Sequence, residues 1–414
     1  MINYFYDVYC ILNKVYSDGA FVKQAISSTP IEEVNRAKTV KTVYGVLDKD
    51  IELSYYVKYL TEKSPKLAIR TILKIAMYVI KYLNKHDYAV TKSAVELTKK
   101  LGKGGASGFV NAFLRRFLSE EIPLPTDKIE NLSVKYSYPP FAVSELIKDY
   151  GEERAISIMS SFNQKTCLAF YGTDGATYLK EKGQSFSETP YKNVFLLDNF
   201  VRNADYDDGV YTYQAIGSVA ICEGIEPCDK ILDCCSAPGG KSIRLSYKCK
   251  AVYAFDKHEH RVNLISEYVK RMKRENVYYS VCDAKVYNSE YERFFDAVLC
   301  DAPCSGLGVV NDNPDIKLNR DEKAIDNLNV EQLSILKTVA NYVKVGGYLY
   351  YSTCSVLSRE NIEIIKKFMS DIKGFEIVET KPEIPYLDVL GTVQFLPDIS
   401  YGNGFYFAKL KRVY

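Results

Sequence analysis

Five apolar runs of strand length, 230–235 (KILDCC), 251–256 (AVYAFD), 277–283 (VYYSVCD), 296–301 (DAVLCD) and 347–353 (GYLYYST), alternate with helical stretches such as 258–274 and 331–345. Runs this short and apolar suit strands buried on both faces, and strand–helix alternation is the pattern of a doubly wound α/β sheet. Later strands are expected at 375–378 and 404–413. In such a sheet, ligands meet the chain just past the carboxyl ends of the strands. The stretch 294–306 (FFDAVLCDAPCSG) therefore puts Asp301 and Cys304 where a ligand would sit, and 346–355 (GGYLYYSTCS) brings Cys354 to a matching strand end. Two thiols at two strand ends suggest one shared site.

The chain ahead of the sheet reads differently. Phe5, Val8, Ile11, Leu12 and Val15 recur at helical spacing until Gly19, and Val34, Ala37, Val40, Tyr44 and Leu47 repeat the stripe. Ser64-Pro65 is expected to cap a helix that buries Ile69, Ile72, Leu73, Ala76, Val79 and Ile80. A glycine-rich turn, 101–108 (LGKGGASG), leads into 109–118 (FVNAFLRRFL). That turn is either a phosphate-holding helix start with lysines beside it or a plain connector. Pro123 and Pro125 mark a linker, and the mixed region after it has a helical piece following Pro139-Pro140 and a strand-like CLAFYGT after Asn163. The expected divisions are 1–124, 125–228 and 229–414, the middle region forming one wall of a substrate cleft.

Composition narrows the function. A net charge of +2 over 414 residues gives no global attraction to polyanions, so nucleic-acid binding would rest on local basic clusters. Lys99-Lys100-Lys103, Arg115-Arg116, Lys270-Arg271-Lys273-Arg274 and Lys409-Lys411-Arg412 qualify, though each taken singly reads first as a solvated helix or strand face. Eleven scattered cysteines with no CxxC pair argue for a reducing, cytoplasmic setting and against zinc. MINYFYDVYC lacks the layout of a secretory signal, and 67–83 carries Arg70, Lys74 and Lys81, too many charges for a membrane span. No metal and no membrane partner are expected, and the chain is expected to act as a monomer.

The first strand runs into 233–242 (DCCSAPGGKS) and then a helix. A phosphate-binding loop would need glycine where Cys235 stands, and Pro238 removes a backbone donor. The rival reading is the turn of an S-adenosylmethionine methyltransferase, whose ligand has no phosphates. Adenosine presents ribose hydroxyls and an amine, donors that need acceptors. Asp256 and Asp283 each close the next strand; singly each reads as a helix cap or turn residue, and both together after a glycine turn favour adenosine.

The helix 110–116 (VNAFLRR) behind its glycine-rich turn resembles the closing helix of the NusB-type RNA-binding fold, which implies that the helical domain touches RNA. DCCSAPGGKS, Asp256, Asp283, DAPCSG and STCS occur in the order found in RNA cytosine-5 methyltransferases of the RsmB/NOP2/Sun family. The resemblance implies a Rossmann-like methyltransferase domain behind an all-helical NusB-like domain, with a small mixed α+β middle region. By that resemblance Cys235, Ser236, Ala237, Pro238, Gly239, Gly240, Lys241, Asp256, Asp283 and Asp301 line the S-adenosyl-L-methionine site, and Arg261 is a further candidate. The RNA partner implied is 16S ribosomal RNA, as in the RsmB type, with transfer RNA the alternative. Three departures stand out. Asn403 replaces a usual aspartate in GNGFYFAKL, 311–318 (NDNPDIKL) lacks the family's Arg/His and Trp around Pro-Asp, and AFYGT lacks its arginine.

Carbon 5 of cytosine is a poor nucleophile, and a thiolate adding to carbon 6 makes it electron-rich. Free thiols have a pKa of about 8.5, so the attacking one needs nearby positive charge, which Lys241 offers. Asp301 is placed to hydrogen-bond the cytosine amine and the protonated ring nitrogen. Spacing does not choose between the thiols. The resemblance assigns attack to Cys354 and release of product to Cys304, and Cys234, Cys282 and Cys300 are expected in the core. The target base is expected single-stranded or flipped. An amino-group methyltransferase would end its strand in Asn/Asp-Pro-Pro-aromatic, which DAPC does not match. A catalytically inactive RNA-binding assembly factor is the non-enzyme rival.

Overall fold

The computed structural model describes residues 2–161, 165–198 and 200–414, so Asn163 lies outside the described residues. The chain divides into two compact units, Met1–Ser160 with Val310–Asp321, and Ser161–Val309 with Glu322–Tyr414. The stretch 125–228 is thereby shared. Its helices Lys128–Tyr136, Pro140–Tyr150 and Glu152–Ser160 belong to the first unit.

The first unit is all-helical, and helix Leu67–Leu83 is its centre. Ile69, Ile72, Leu73, Ala76 and Val79 are buried as their spacing predicts, but Thr71, Lys74, Ile75, Met77 and Tyr78 are buried too. Neighbours thus enclose the helix on more than one face. The buried Lys74 ammonium is tied to Asp50 at 2.6 Å, and Tyr16 donates to the same carboxylate, which offsets the cost of desolvating the charge. Ser64-Pro65 does not cap this helix. Its N-cap position is Lys66, with no side-chain cap bond, and Ser64 instead accepts from Arg70 at 3.3 Å. Helix Glu33–Asp48 also departs from its expected stripe, burying Thr39, Thr42, Val43, Val46 and Leu47 while Val34 is 89% exposed. Thr42 can be buried because its hydroxyl donates to the Lys38 carbonyl one turn back, at 2.9 Å.

Segment Val310–Asp321 is built into this unit. Lys317 is buried and donates to both the backbone carbonyl and the carboxylate of Asp48 at 2.7 Å, while Asp315 accepts from the Val22 amide at 3.2 Å. Two charges of NDNPDIKL, those of Asp315 and Lys317, are consumed by packing, while Asp312 is exposed.

In the second unit, strands β1 (Thr166–Phe170), β2 (Ser187–Glu188), β3 (Val194–Leu197) and β4 (Tyr211–Tyr213) form an antiparallel sheet in the order β2-β3-β1-β4. The larger sheet follows with β5 (Lys230–Asp233), β6 (Ala251–Asp256), β7 (Val277–Val281), β8 (Phe295–Asp301), β9 (Val343–Thr353), β10 (Phe375–Ile377), β11 (Leu387–Val389), β12 (Thr392–Phe395) and β13 (Phe405–Arg412). Its order is β11-β12-β13-β9-β8-β5-β6-β7, with β10 paired to β13. Strands β5 to β9 are parallel to their neighbours among themselves, and β13 runs antiparallel to β9.

Alternate residues of the central strands enter different cores. Ile231, Ala297, Leu299 and Tyr350 pack with helices Ile216–Glu223, Gly240–Leu245 and Glu259–Arg271, whereas Leu232, Val298, Cys300 and Tyr351 pack with Glu322–Ala340 and Ile362–Asp371. Covering both faces is what makes these runs continuously apolar. The helix expected at 331–345 is observed at Glu322–Ala340, and residues 343–345 instead begin β9. The hairpin of β11 and β12 was not legible in the sequence.

Candidate active site

Strand register brings the chemistry to one edge. Asp233 pairs level with Leu299 and Ala254, and Asp301 with Ser352, so β5, β6, β8 and β9 end together. Beyond β5 the turn is anchored by Ser236 N–H to the Phe255 carbonyl and Gly239 N–H to the Ser236 carbonyl, both 2.8 Å. Gly239 has φ +108°, a conformation that favours glycine. Ser242 does not face outward as a phosphate-loop serine would. It is buried, donates to Asp233 at 2.6 Å and lies 2.7 Å from the Ser236 hydroxyl. Burial raises the Asp233 carboxyl to about 7, and its Oδ1 has no hydrogen-bond partner among the described residues.

Lys241, in the first turn of Gly240–Leu245, reaches Asp301 at 2.7 Å, and Ser352 donates to the other Asp301 oxygen at 2.6 Å. Burial disfavours the Lys241 ammonium, but the Asp301 carboxylate outweighs it, so the lysine holds its proton more tightly than in water; the Cys354 sulfur adds to this.

The two thiols meet, with Cys304 Sγ 3.2 Å from Cys354 Sγ. The hydrogen bond to Cys354, burial, and the charges of Cys354 and Glu360 push the Cys304 thiol well above its ordinary range. Cys304 is therefore held in its thiol form. The Cys354 carbonyl accepts from Gly308 N–H at 2.9 Å, and the Gly308 carbonyl from Gly404 N–H at 2.6 Å. A side chain at Gly308 would strike the Gly404 carbonyl, so the GNGFYF segment closes over the thiol loops only because this position is glycine.

Asp256 is buried at the end of β6; its Oδ1 accepts from His258 N–H at 3.1 Å, and its Oδ2 is 3.1 Å from Arg261 Nη1 without an aligned hydrogen bond. Arg261 also donates to the Ala237 carbonyl at 3.1 Å, tying the acid to the glycine-rich turn. Asp283 lies two residues past Val281, the partner of Asp256 in register, and its carboxylate accepts from Lys285 N–H at 2.9 Å. Cys235 is half-buried, 4.0 Å from the Cys234 sulfur. Cys234 and Cys300 are buried as expected, but Cys282 is only half-buried, because it follows the exposed edge strand β7.

Several basic clusters serve the fold. Arg271 donates to the Tyr206 and Tyr211 carbonyls at 2.7 and 3.2 Å, Arg274 to the Ser246 carbonyl at 2.7 Å, and the buried Lys409 pairs with Glu226 at 2.8 Å. In the helical unit, Lys63, Lys66, Lys103 and the exposed Phe109 border a cavity of about 440 Å³ beside the glycine-rich turn. Among the described residues no helix is long and apolar enough to cross a membrane, and no three His, Cys, Asp or Glu side chains form a metal-ligand cluster.

A family model described as 16S rRNA methyltransferase RsmB/F matches residues 223–411, and a NusB family model matches 3–119. The probable ribosomal RNA small subunit methyltransferase B of Bacillus subtilis is 30% identical over 428 residues, covering 97% of this chain and 95% of its own length. The chain belongs to the ribosomal RNA small subunit methyltransferase B family. An Escherichia coli K12 member is 28% identical, with 92% of this chain and 91% of that protein covered. The crystal structure of PH0851 shares the fold of this methyltransferase at a TM-score of 0.85 and 20% identity, covering 100% and 99% of the two chains. NSun6 from Pyrococcus horikoshii has the fold over 67% of this chain and 99% of its own, at a TM-score of 0.60 and 19% identity.

Proposed function

We propose that this methyltransferase transfers a methyl group from S-adenosylmethionine to carbon 5 of a cytosine in 16S ribosomal RNA, through a covalent bond between Cys354 and carbon 6. The observation that carries the reading is the pair of thiols 3.2 Å apart, on the sheet edge that also carries the Lys241–Asp301 ion pair.

The residues present fit the methyl donor. Asp256 Oδ2 is a buried acceptor with no aligned donor, suited to a ribose hydroxyl, and Asp283 lies close by in register. The turn 235–241 offers a close backbone approach. Bound there, S-adenosylmethionine supplies an electrophilic methyl group.

The chain's own groups do the rest. Lys241 brings positive charge beside Cys354, whose sulfur attacks carbon 6 of the cytosine. Asp301 hydrogen-bonds the amine and ring nitrogen, stabilising the charge that develops on addition, while Lys241 and Ser352 hold its carboxylate in place. Cys304, held as a thiol, assists release by hydrogen-bonding the departing Cys354 sulfur as carbon 5 gives its proton to solvent, the carbon 5–carbon 6 double bond re-forms and the sulfur–carbon 6 bond breaks. The helical unit aids docking of the RNA.

The test is methyl transfer from labelled donor to unmodified small-subunit RNA, with the product nucleoside identified by mass spectrometry. Wild type yields 5-methylcytosine and Cys354→Ala yields none; product persisting in Cys354→Ala overturns the assignment. An inactive assembly factor would make no product at all. Its one motivation, the altered NDNPDIKL loop, is weakened by the packing roles of Asp315 and Lys317.

A further inference from the structure

Glu360 is fully buried, and no lysine or arginine is paired with it among the described residues. An unpaired buried carboxylate is costly unless hydrogen bonds satisfy it. Here they come from the residues that adjoin the two thiols. Ser305, next to Cys304, donates its N–H at 2.7 Å and its hydroxyl at 2.5 Å. Ser355, next to Cys354, donates its hydroxyl at 2.5 Å. Gln332 donates 3.1 Å to the same carboxylate and 2.9 Å to the carbonyl of Pro303, the residue before Cys304.

We propose that Glu360 is a positioning residue that fixes the separation of the two thiols, by clamping the loop carrying Cys304 to the loop carrying Cys354 through Ser305 and Ser355. The inference rests on the pairing of thiols in the proposed reaction, but the clamp can be tested without it. Neighbouring bonds brace the clamp from behind. Tyr351 donates to the Glu360 carbonyl at 2.7 Å, and Asn361 accepts from Thr353 at 2.6 Å and donates to the Ser355 carbonyl at 3.0 Å. Two rigidly held loops with one shared acceptor give the thiols a single spacing, which a reaction passing a substrate between them requires. The same charge also helps keep Cys304 protonated, behind its hydrogen bond to Cys354 and its burial.

The spacing is read by oxidising the full-length protein with diamide, without cofactor or RNA, and quantifying the Cys304–Cys354 disulfide by peptide mass mapping. The two thiols give up two protons and two electrons, and diamide becomes the hydrazide. Cys228 and Cys249, whose sulfurs are 3.5 Å apart at the opposite ends of the strands, serve as an internal control. Glu360→Ala is expected to slow the Cys304–Cys354 cross-link and lower kcat by about tenfold or more, because small misplacements of reacting groups are costly. The control cross-link, the KM for RNA and the affinity for S-adenosylhomocysteine stay at wild-type values. Glu360→Gln, which keeps an oxygen for Ser305 N–H and Gln332, restores part of the loss. If Glu360→Ala does not fold, the Ser305→Ala/Ser355→Ala pair is expected to give the same pattern. An unchanged Cys304–Cys354 cross-link in a folded variant overturns the clamp, as does a parallel loss of control cross-link and cofactor affinity. A protein that makes no 5-methylcytosine but loses the cross-link in Glu360→Ala fails the reaction and keeps the clamp.

Discussion

The Lys241 ammonium lies 2.7 Å from Asp301, and it is the carboxylate that keeps this buried lysine charged. Each partner therefore supports the other's chemistry. Lys241→Met leaves Asp301 with Ser352 alone and removes the cation beside Cys354, so kcat is expected to fall by roughly 10²–10³ with little change in the KM for RNA. In Asp301→Asn the main offset to burial of the ammonium is gone, so Lys241 sheds its proton at lower pH. Residual activity of that variant is expected to decline with rising pH earlier than that of wild type, measured as the kcat profile of both proteins.

Cys304 stands as a thiol against Cys354, and its proposed work comes after the methyl group has moved. Cys304→Ala is expected to form the Cys354–RNA bond but to release it slowly. A protein–RNA band resistant to denaturing gel electrophoresis should accumulate with Cys304→Ala and vanish in the Cys304→Ala/Cys354→Ala double variant. A trapped band in the Cys354→Ala single variant, with none in Cys304→Ala, would exchange the two roles.

The sheet and the thiols were legible because their signals are local. Apolar runs ending in Asp256, Asp301 and Thr353 announce buried strands, and the glycine-rich turn and two strand-end cysteines follow directly from them. The residues that hold the site together were not. Glu360 sits six positions after Cys354 in a polar stretch, and an acid in such a stretch is ordinarily solvated, so only tertiary structure reveals that it is buried between two loops. Ser352 and Gln332 are silent for the same reason. In helix Glu33–Asp48 the error lay in counting only apolar residues. Thr39 and Thr42 face the core, and Val34 faces water. The loop 311–318 reads as a departure from a pattern, whereas its Lys317 and Asp315 hold it to helix Glu33–Asp48 and helix Val22–Ser27.

Asp233 makes stability depend on pH. Burial lifts its carboxyl from 3.8 to about 7, so between those values the folded chain holds a proton that the unfolded chain has lost. Its contribution is fully present below pH 3.8 and is lost as pH rises through about 7. Asp233→Asn keeps the acceptor for Ser242 and removes the titration. Between pH 5 and pH 8 wild type is expected to lose on the order of 1 kcal/mol or more relative to Asp233→Asn, read by denaturant unfolding at the two pH values. Parallel curves for the two proteins would mean that the carboxyl is already ionised at pH 5.

RNA docking by the helical unit is expected to rest on the basic rim of the cavity beside the glycine-rich turn. Lys63, Lys66 and Lys103 are exposed there, and Phe109 presents an exposed ring on which an unstacked base can lie. Among the described residues none of the three lysines forms an ion pair, in contrast to Arg116, whose charge is engaged by Glu120 at 2.6 Å. Replacing all three with alanine is expected to weaken RNA binding and to reduce the slope of log affinity against log salt by roughly 2, the share of three phosphate contacts on a single strand. Because these residues carry no chemistry, kcat at saturating RNA should be unchanged while KM rises. Fluorescence anisotropy across a salt series measures the slope, and an unaltered slope would move the docking surface elsewhere.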